Sequence, residues 1–115
     1  RAQIAAAQKN YKSALKDLDI VLEEEPGYVD ALVFRASAKR QLNQRDSAAV
    51  DIGHALAKNE DHLEGLLERG MLRRLLNDIS GARSDWLKII NLAPDSETAR
   101  FAREKIQNMD GAKNR

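Results

Sequence analysis

The sequence predicts an all-α chain built as a solenoid of antiparallel helix pairs. Three observations lead there. Apolar residues recur at helical spacing, and β-branched residues never form a period-2 run. Small and large residues return at a fixed interval of 34, as Ala14, Ala48 and Ala82, as Leu18, Ile52 and Trp86, and as Leu22, Leu56 and Ile90. Pro26 and Pro94 are two such intervals apart, with Glu60 at the middle position. A period of this length marks stacked units, because one helix pair cannot bury its apolar stripe alone.

The elements follow in order. Residues 1–9 read as the remaining part of a helix with Ile4 as its main apolar residue, and Asn10 reads as a turn. Residues 11–25 carry Ala14, Leu15, Leu18, Val21 and Leu22 on one stripe, ended by Pro26-Gly27. Residues 29–42 turn Val29, Leu32, Ala36 and Leu42 inward, and Asn43-Gln44 reverses the chain. Residues 46–58 repeat the stripe as Ala48, Ala49, Ile52, Ala55 and Leu56. Residues 63–76, with Leu63, Leu66, Gly70 and Leu76, and residues 80–92, with Ala82, Trp86, Ile89 and Ile90, form the clearest pair, hinged at Asn77-Asp78.

Residues 97–109 form a last helix that keeps the register only in part. Glu104 stands 34 after Gly70, where close packing needs a small residue. The helix therefore reads as a cap: Phe101 or Ala102, with Ile106 and Met109, cover the last pair, while Arg100, Glu104 and Lys105 face water. The expected division is one domain over 1–110, with an N-terminally incomplete first repeat (1–28), a second (29–62), a third (63–96), a capping helix (97–110) and a flexible polar tail (111–115).

These residues resemble the tetratricopeptide repeat family, and the resemblance implies that the solenoid is a right-handed alpha-alpha superhelix. The resemblance rests on a small residue in the first helix, an alanine in the second, a bulky residue four later and a proline after it. Here those are Gly70, Ala82, Trp86 and Pro94, then Ala36, Ala48, Ile52 and Glu60, and in the first repeat Ala2, Ala14, Leu18 and Pro26. It covers roughly residues 1–96. Lys39 and Arg73 depart from it, standing where an aromatic is common, and Glu60 replaces a proline.

Charged residues keep the same register. Arg1, Arg35, Arg69 and Arg103 are 34 apart, and so are Asp17, Asp51 and Asp85. Two geometries would satisfy them. Each arginine pairs with the aspartate of its own repeat, Arg35 with Asp51 and Arg69 with Asp85, or with that of the preceding repeat, as Arg35 with Asp17. A guanidinium suits two-point contact with a carboxylate, which accounts for Arg over Lys.

Composition narrows the function classes. The 115 residues are 32% charged and 43% hydrophobic, as in a soluble globular chain, with a net charge of +1 that sets up no global field for nucleic acid or membrane. No apolar run approaches the ~20 residues of a membrane helix. There is no cysteine, hence no disulfide or thiolate chemistry. The chain opens in what reads as mid-helix, so an upstream segment is expected, and the compartment stays open between cytoplasm and bacterial periplasm.

Little carries chemistry. His54 and His62 are two distant imidazoles, too few for a zinc site. The run Glu23-Glu24-Glu25 reads as a solvated helix end. The serines have no His–Asp constellation at usable spacing, and the glycines form no phosphate loop. No enzyme, metal or cofactor is expected.

Function is expected on the inner face. In repeats of this family the first helix of each pair lines a concave groove. The lining expected here is Val33, Ser37 and Arg40, then Leu67, Met71 and Arg74, then Phe101 and Lys105, with Asp30 and Glu64 as an acidic rim. Val33, Leu67 and Phe101 form an apolar row 34 apart, which either meets a partner or touches the neighbouring helix. A subclass of the family grips C-terminal carboxylates with Lys and Asn. The matching positions hold Val33, Ser37, Phe34, Glu64 and Glu68, so that clamp is absent. The expected function is a protein-interaction module or scaffold that binds a peptide or partner protein in this groove, without nucleic acid or membrane insertion. The alternative is a structural segment of a longer repeat array, self-associating through an open N-terminal end at Ile4, Leu15 and Leu18.

Overall fold

The computed structural model describes residues 2–113, with side chains over residues 8–111. Among the described residues there are six helices, α1 (Ala2–Glu24), α2 (Val29–Gln41), α3 (Arg45–Lys58), α4 (Leu63–Leu75), α5 (Ile79–Leu92) and α6 (Glu97–Lys113), and no strand. They form two compact units that divide between Glu60 and Asp61. In the first, α2 packs on both α1 and α3. In the second, α5 packs on both α4 and α6, and α4 also touches α6.

The reversal inside each helix pair comes from one residue. Asn43 and Asn77 take φ of 63° and 66°, a left-handed conformation that Asn tolerates better than most residues. Both turns close as Schellman motifs. In the first, Gln44 N–H donates to the Lys39 carbonyl at 2.8 Å and Asn43 N–H to that of Arg40 at 3.0 Å. In the second, Asp78 N–H donates to Arg73 at 2.7 Å and Asn77 N–H to Arg74 at 3.0 Å.

The first repeat departs from the expected pair. α1 runs unbroken from Ala2 to Glu24, so Asn10 does not turn the chain. The register gives the reason. The position 34 before Asn43 is Lys9, not Asn10. Lysine has no particular tolerance for the left-handed region, so nothing stops the helix there. At the other end α6 passes through Gly111 to Lys113. No described glycine has a positive φ, so Gly111 does not act as a C-terminal stop.

Side chains cap the helices of the second unit. His62 Nδ1 accepts from Gly65 N–H at 2.9 Å, and Asp78 Oδ1 accepts from Gly81 N–H at 3.0 Å. Ser96 Oγ accepts from Ala99 N–H at 3.0 Å and donates to the Ala93 carbonyl at 2.7 Å.

Each core follows the register. In the first unit Leu32, Ala36, Ala48, Ile52 and Ala55 are buried, and in the second Leu66, Leu72, Ala82, Trp86 and Ile89. Size is traded between helices. Trp86 fills the space that Gly70 leaves, and a Cβ on Gly70 would run into the indole. The first unit carries Ala36 and Ile52 at the same two positions, a larger residue with a smaller partner.

Candidate functional site

The charged register builds one ion cluster per helix pair. Asp51 on α3 is only 3% exposed. Arg35 on α2 holds it with two parallel bonds, Nε to Oδ2 and Nη2 to Oδ1, both 2.8 Å. Lys39, one turn later on α2, adds Nζ at 2.8 Å from Oδ2. Burial pushes the Asp51 carboxyl up, but the hydrogen bonds from Arg35 and Lys39 outweigh it and leave the group below the usual carboxylate range. The same contact with Asp51 raises the Arg35 guanidinium.

α4 and α5 repeat the arrangement. Arg69 donates to Asp85 through Nε at 3.0 Å and Nη2 at 2.8 Å, and Arg73 adds Nη1 at 3.0 Å. Asp85 raises the Arg69 guanidinium as Asp51 raises Arg35. Lys39 and Arg73 thus have a reason to replace the aromatic common at that position: each is the second cation on a buried carboxylate.

The ends of the ladder differ. Arg35 turns its third donor, Nη1, to Asp19 at 3.1 Å rather than to Asp17. Asp17 is exposed on α1, and its register partner Arg1 lies outside the described residues, as do the side chains of Ala2 and Ile4. Arg103 donates to the Pro94 carbonyl at 2.8 Å. These cations are therefore committed to the fold. Among the described residues no cluster of His, Asp and Glu could hold a metal ion, and no helix is long and apolar enough to cross a membrane.

The expected groove residues fall into two groups, one per unit. On α2, Val33 is 4% exposed, so it belongs to the core and offers no surface to a partner. Ser37 and Arg40 are half-buried on the same helix. In the second unit, Leu67 and Met71 on α4 are half-buried, and Arg74 is exposed. On α6, Phe101 is 40% exposed and Lys105 is half-buried. The guanidinium carbon of Arg100 lies 5.5 Å from the Phe101 ring centroid, a cation–π contact. The Leu67 carbonyl accepts a long 3.4 Å bond from Trp86 Nε1, which ties the backbone of this face to the core. The second unit thus carries Leu67, Met71 and Arg74 on α4 and Phe101 and Lys105 on α6, two helices that touch.

The free face of α2 centres on Phe34, which is 60% exposed between Asp30 and Ser37. The expected lining omits it. One signal was present: Phe34 is an aromatic one residue away from a row that was expected in the groove as lying off the packing stripe and repeating every 34 residues. A period identifies equivalent positions but not which way they point.

No family model matches the chain. Human sperm-associated antigen 1 is 37% identical over 62 residues, which is 54% of this chain and 7% of that protein, so the chain spans a small part of its relative. Solved structures match over most of the chain. The tetratricopeptide repeat protein from Parabacteroides merdae has a TM-score of 0.75 at 28% identity, covering 91% of this chain and 41% of that one. The Sgt2 TPR domain from Aspergillus fumigatus has 0.77 at 22%, covering 99% and 78%. The first TPR of Spaghetti (RPAP3), bound to an HSP90 peptide, has 0.76 at 24%, covering 90% and 82%. By its 34-residue register, its small-against-large helix contacts and these likenesses, the chain is an all-α helical-repeat protein with the tetratricopeptide-repeat fold.

Proposed function

We propose that the chain is a protein-interaction module that takes a peptide or a partner protein on the face formed by α4 and α6. The observation that supports it most is Phe101, a large apolar side chain left open on α6 while Leu67 and Met71 lie half-open on the helix it adjoins. Burying such a patch supplies binding energy, and Arg74 and Lys105 select an occupant with carboxylates. The peptide-bound state of the Spaghetti domain supports a peptide as the occupant. Phe34, Glu64 and Glu68 stand where carboxylate-clamp groups would be needed, so the occupant is held by apolar anchors rather than by its terminal carboxylate.

Affinity capture with the wild-type chain and with Leu67→Glu/Arg74→Glu tests this. The wild type is expected to recover a partner that the variant loses. Equal recovery by a variant of unchanged helicity would remove the face from consideration.

A structural reading has one observation in its favour. Leu15 and Leu18 on α1 are half-exposed, and α2 is the helix that α1 packs against. Among the described residues α1 packs on α2 alone, so its other side can take a further copy or repeat.

A further inference from the structure

α4 starts on an imidazole. His62 Nδ1 accepts from Gly65 N–H at 2.9 Å, and only 13% of the His62 side chain is exposed. Gly65 lies in the first turn, where an N–H has no carbonyl of its own helix to bond. The register puts Tyr28 and Ser96 at the same position in the neighbouring repeats, 34 residues before and after. Tyr28 makes no side-chain cap, and Ser96 caps α6 with a hydroxyl. Asp78 caps α5 with a carboxylate. A hydroxyl and a carboxylate remain acceptors from about pH 8 down to about pH 5, whereas an imidazole gains a proton in that range.

We propose that His62 is a pH switch at the start of α4. An imidazole accepts only through an unprotonated nitrogen, so the cap requires the neutral ring with its proton on Nε2. A second proton goes to Nδ1 and sets N–H against N–H. The ring then releases Gly65 and turns Nδ1 to Glu64, whose Oε2 lies 3.9 Å away. The Glu64 side chain is 63% exposed, and a pair so open to water holds weakly. The protonated ring also meets the positive end of the α4 dipole. The first turn of α4 therefore loosens. Charged groups of the same segment and of the packed helices have other partners. Asp61 takes Lys88 of α5 at 3.4 Å, and Asp85 of α5 holds Arg69 and Arg73. Glu97 of α6 takes Arg100 at 3.0 Å, and Arg103 donates to the Pro94 carbonyl at 2.8 Å. Glu68, further along α4, is buried with a contact, and Asp95, ahead of α6, is exposed. Gly65 stands two residues before Leu67, so the loosened turn adjoins the face proposed above.

NMR of the whole chain from about pH 8 to about pH 5 tests the switch. The neutral His62 ring is expected to carry its proton on Nε2. As that ring is protonated, the Gly65 amide is expected to lose about fivefold of its protection from solvent exchange, the factor that one N-cap bond carries. His62→Asn keeps an acceptor that does not titrate, and should hold the Gly65 protection constant over the same range. His54→Gln removes the chain's other imidazole and should leave the response as in the wild type. A neutral ring with its proton on Nδ1 would overturn the proposal. So would a Gly65 protection that stays constant while the His62 ring titrates, a ring still neutral at the acid end, or a response that persists in His62→Asn.

Discussion

Trp86 is fully buried against Gly70, at a point where the facing helix has room for hydrogen alone. The contact sets how closely α4 and α5 approach. Gly70→Ala would improve intrinsic helix propensity yet force the indole out of place. A net loss of about 2 kcal/mol is expected in urea unfolding. The double variant Gly70→Ala/Trp86→Ile copies the first unit's Ala36 and Ile52, and should recover part of that loss. Additive single effects would show that the two positions do not share one space.

The Asp51 cluster predicts an acid-sensitive stability. Asp51 holds its proton less readily in the folded chain than in the unfolded one, because Arg35 and Lys39 hydrogen-bond its ionised form. Its contribution is therefore complete above the unfolded carboxylate value of about 4, and is lost as pH falls through the lower folded value. Urea midpoints measured from pH 7 downward should fall across that acid range. Asp51→Asn should be less stable at neutral pH by about 2 kcal/mol and should flatten the acid slope. An unchanged slope would contradict the cluster's role.

Asn77 predicts a turn that tolerates few residues. Its φ of 66° favours Asn or Gly. Asn77→Ala is expected to cost about 1 kcal/mol, and Asn77→Gly close to nothing. Thermal melts followed by circular dichroism distinguish the two. Equal losses would mean that the Asn side chain matters more than the backbone conformation.

Asp78 closes the same turn by capping α5. Asp78→Ala leaves the Gly81 N–H without its side-chain acceptor and should cost about 1 kcal/mol. Asp78→Ser, which can still accept, should restore most of it. Chemical denaturation of the three chains makes the comparison.

Phe34 separates surface from core on α2. Phe34→Ala should change stability by no more than about 0.5 kcal/mol, whereas Val33→Ala should cost several times that. Similar losses at both positions would show that Phe34 has a structural role.

The helix pairs of the second and third repeats were legible in the sequence because each depends on several residues in one register. Gly70 with Trp86 and Arg69 with Asp85 are repeated at Ala36 with Ile52 and Arg35 with Asp51, so no single position has to be read alone. The first repeat was not legible for the opposite reason. Its turn hangs on one left-handed residue, and Asn10 lies one place out of register behind Lys9. The groove suffered from a different ambiguity. Val33, Leu67 and Phe101 are equivalent by period but not by exposure, since periodicity does not say whether a neighbouring helix covers the position. Lys39 and Arg73 looked like departures from an aromatic pattern, and only the fold shows both reaching the buried carboxylates.

Trp86 is the single tryptophan of the chain, and it sits wholly inside the second unit. Its fluorescence therefore watches one half of the molecule, while far-ultraviolet circular dichroism watches all six helices. The chain carries a built-in optical probe, with no label needed. If the two signals trace one transition, the helix pairs melt together. If emission shifts while much of the ellipticity remains, the second unit has opened by itself.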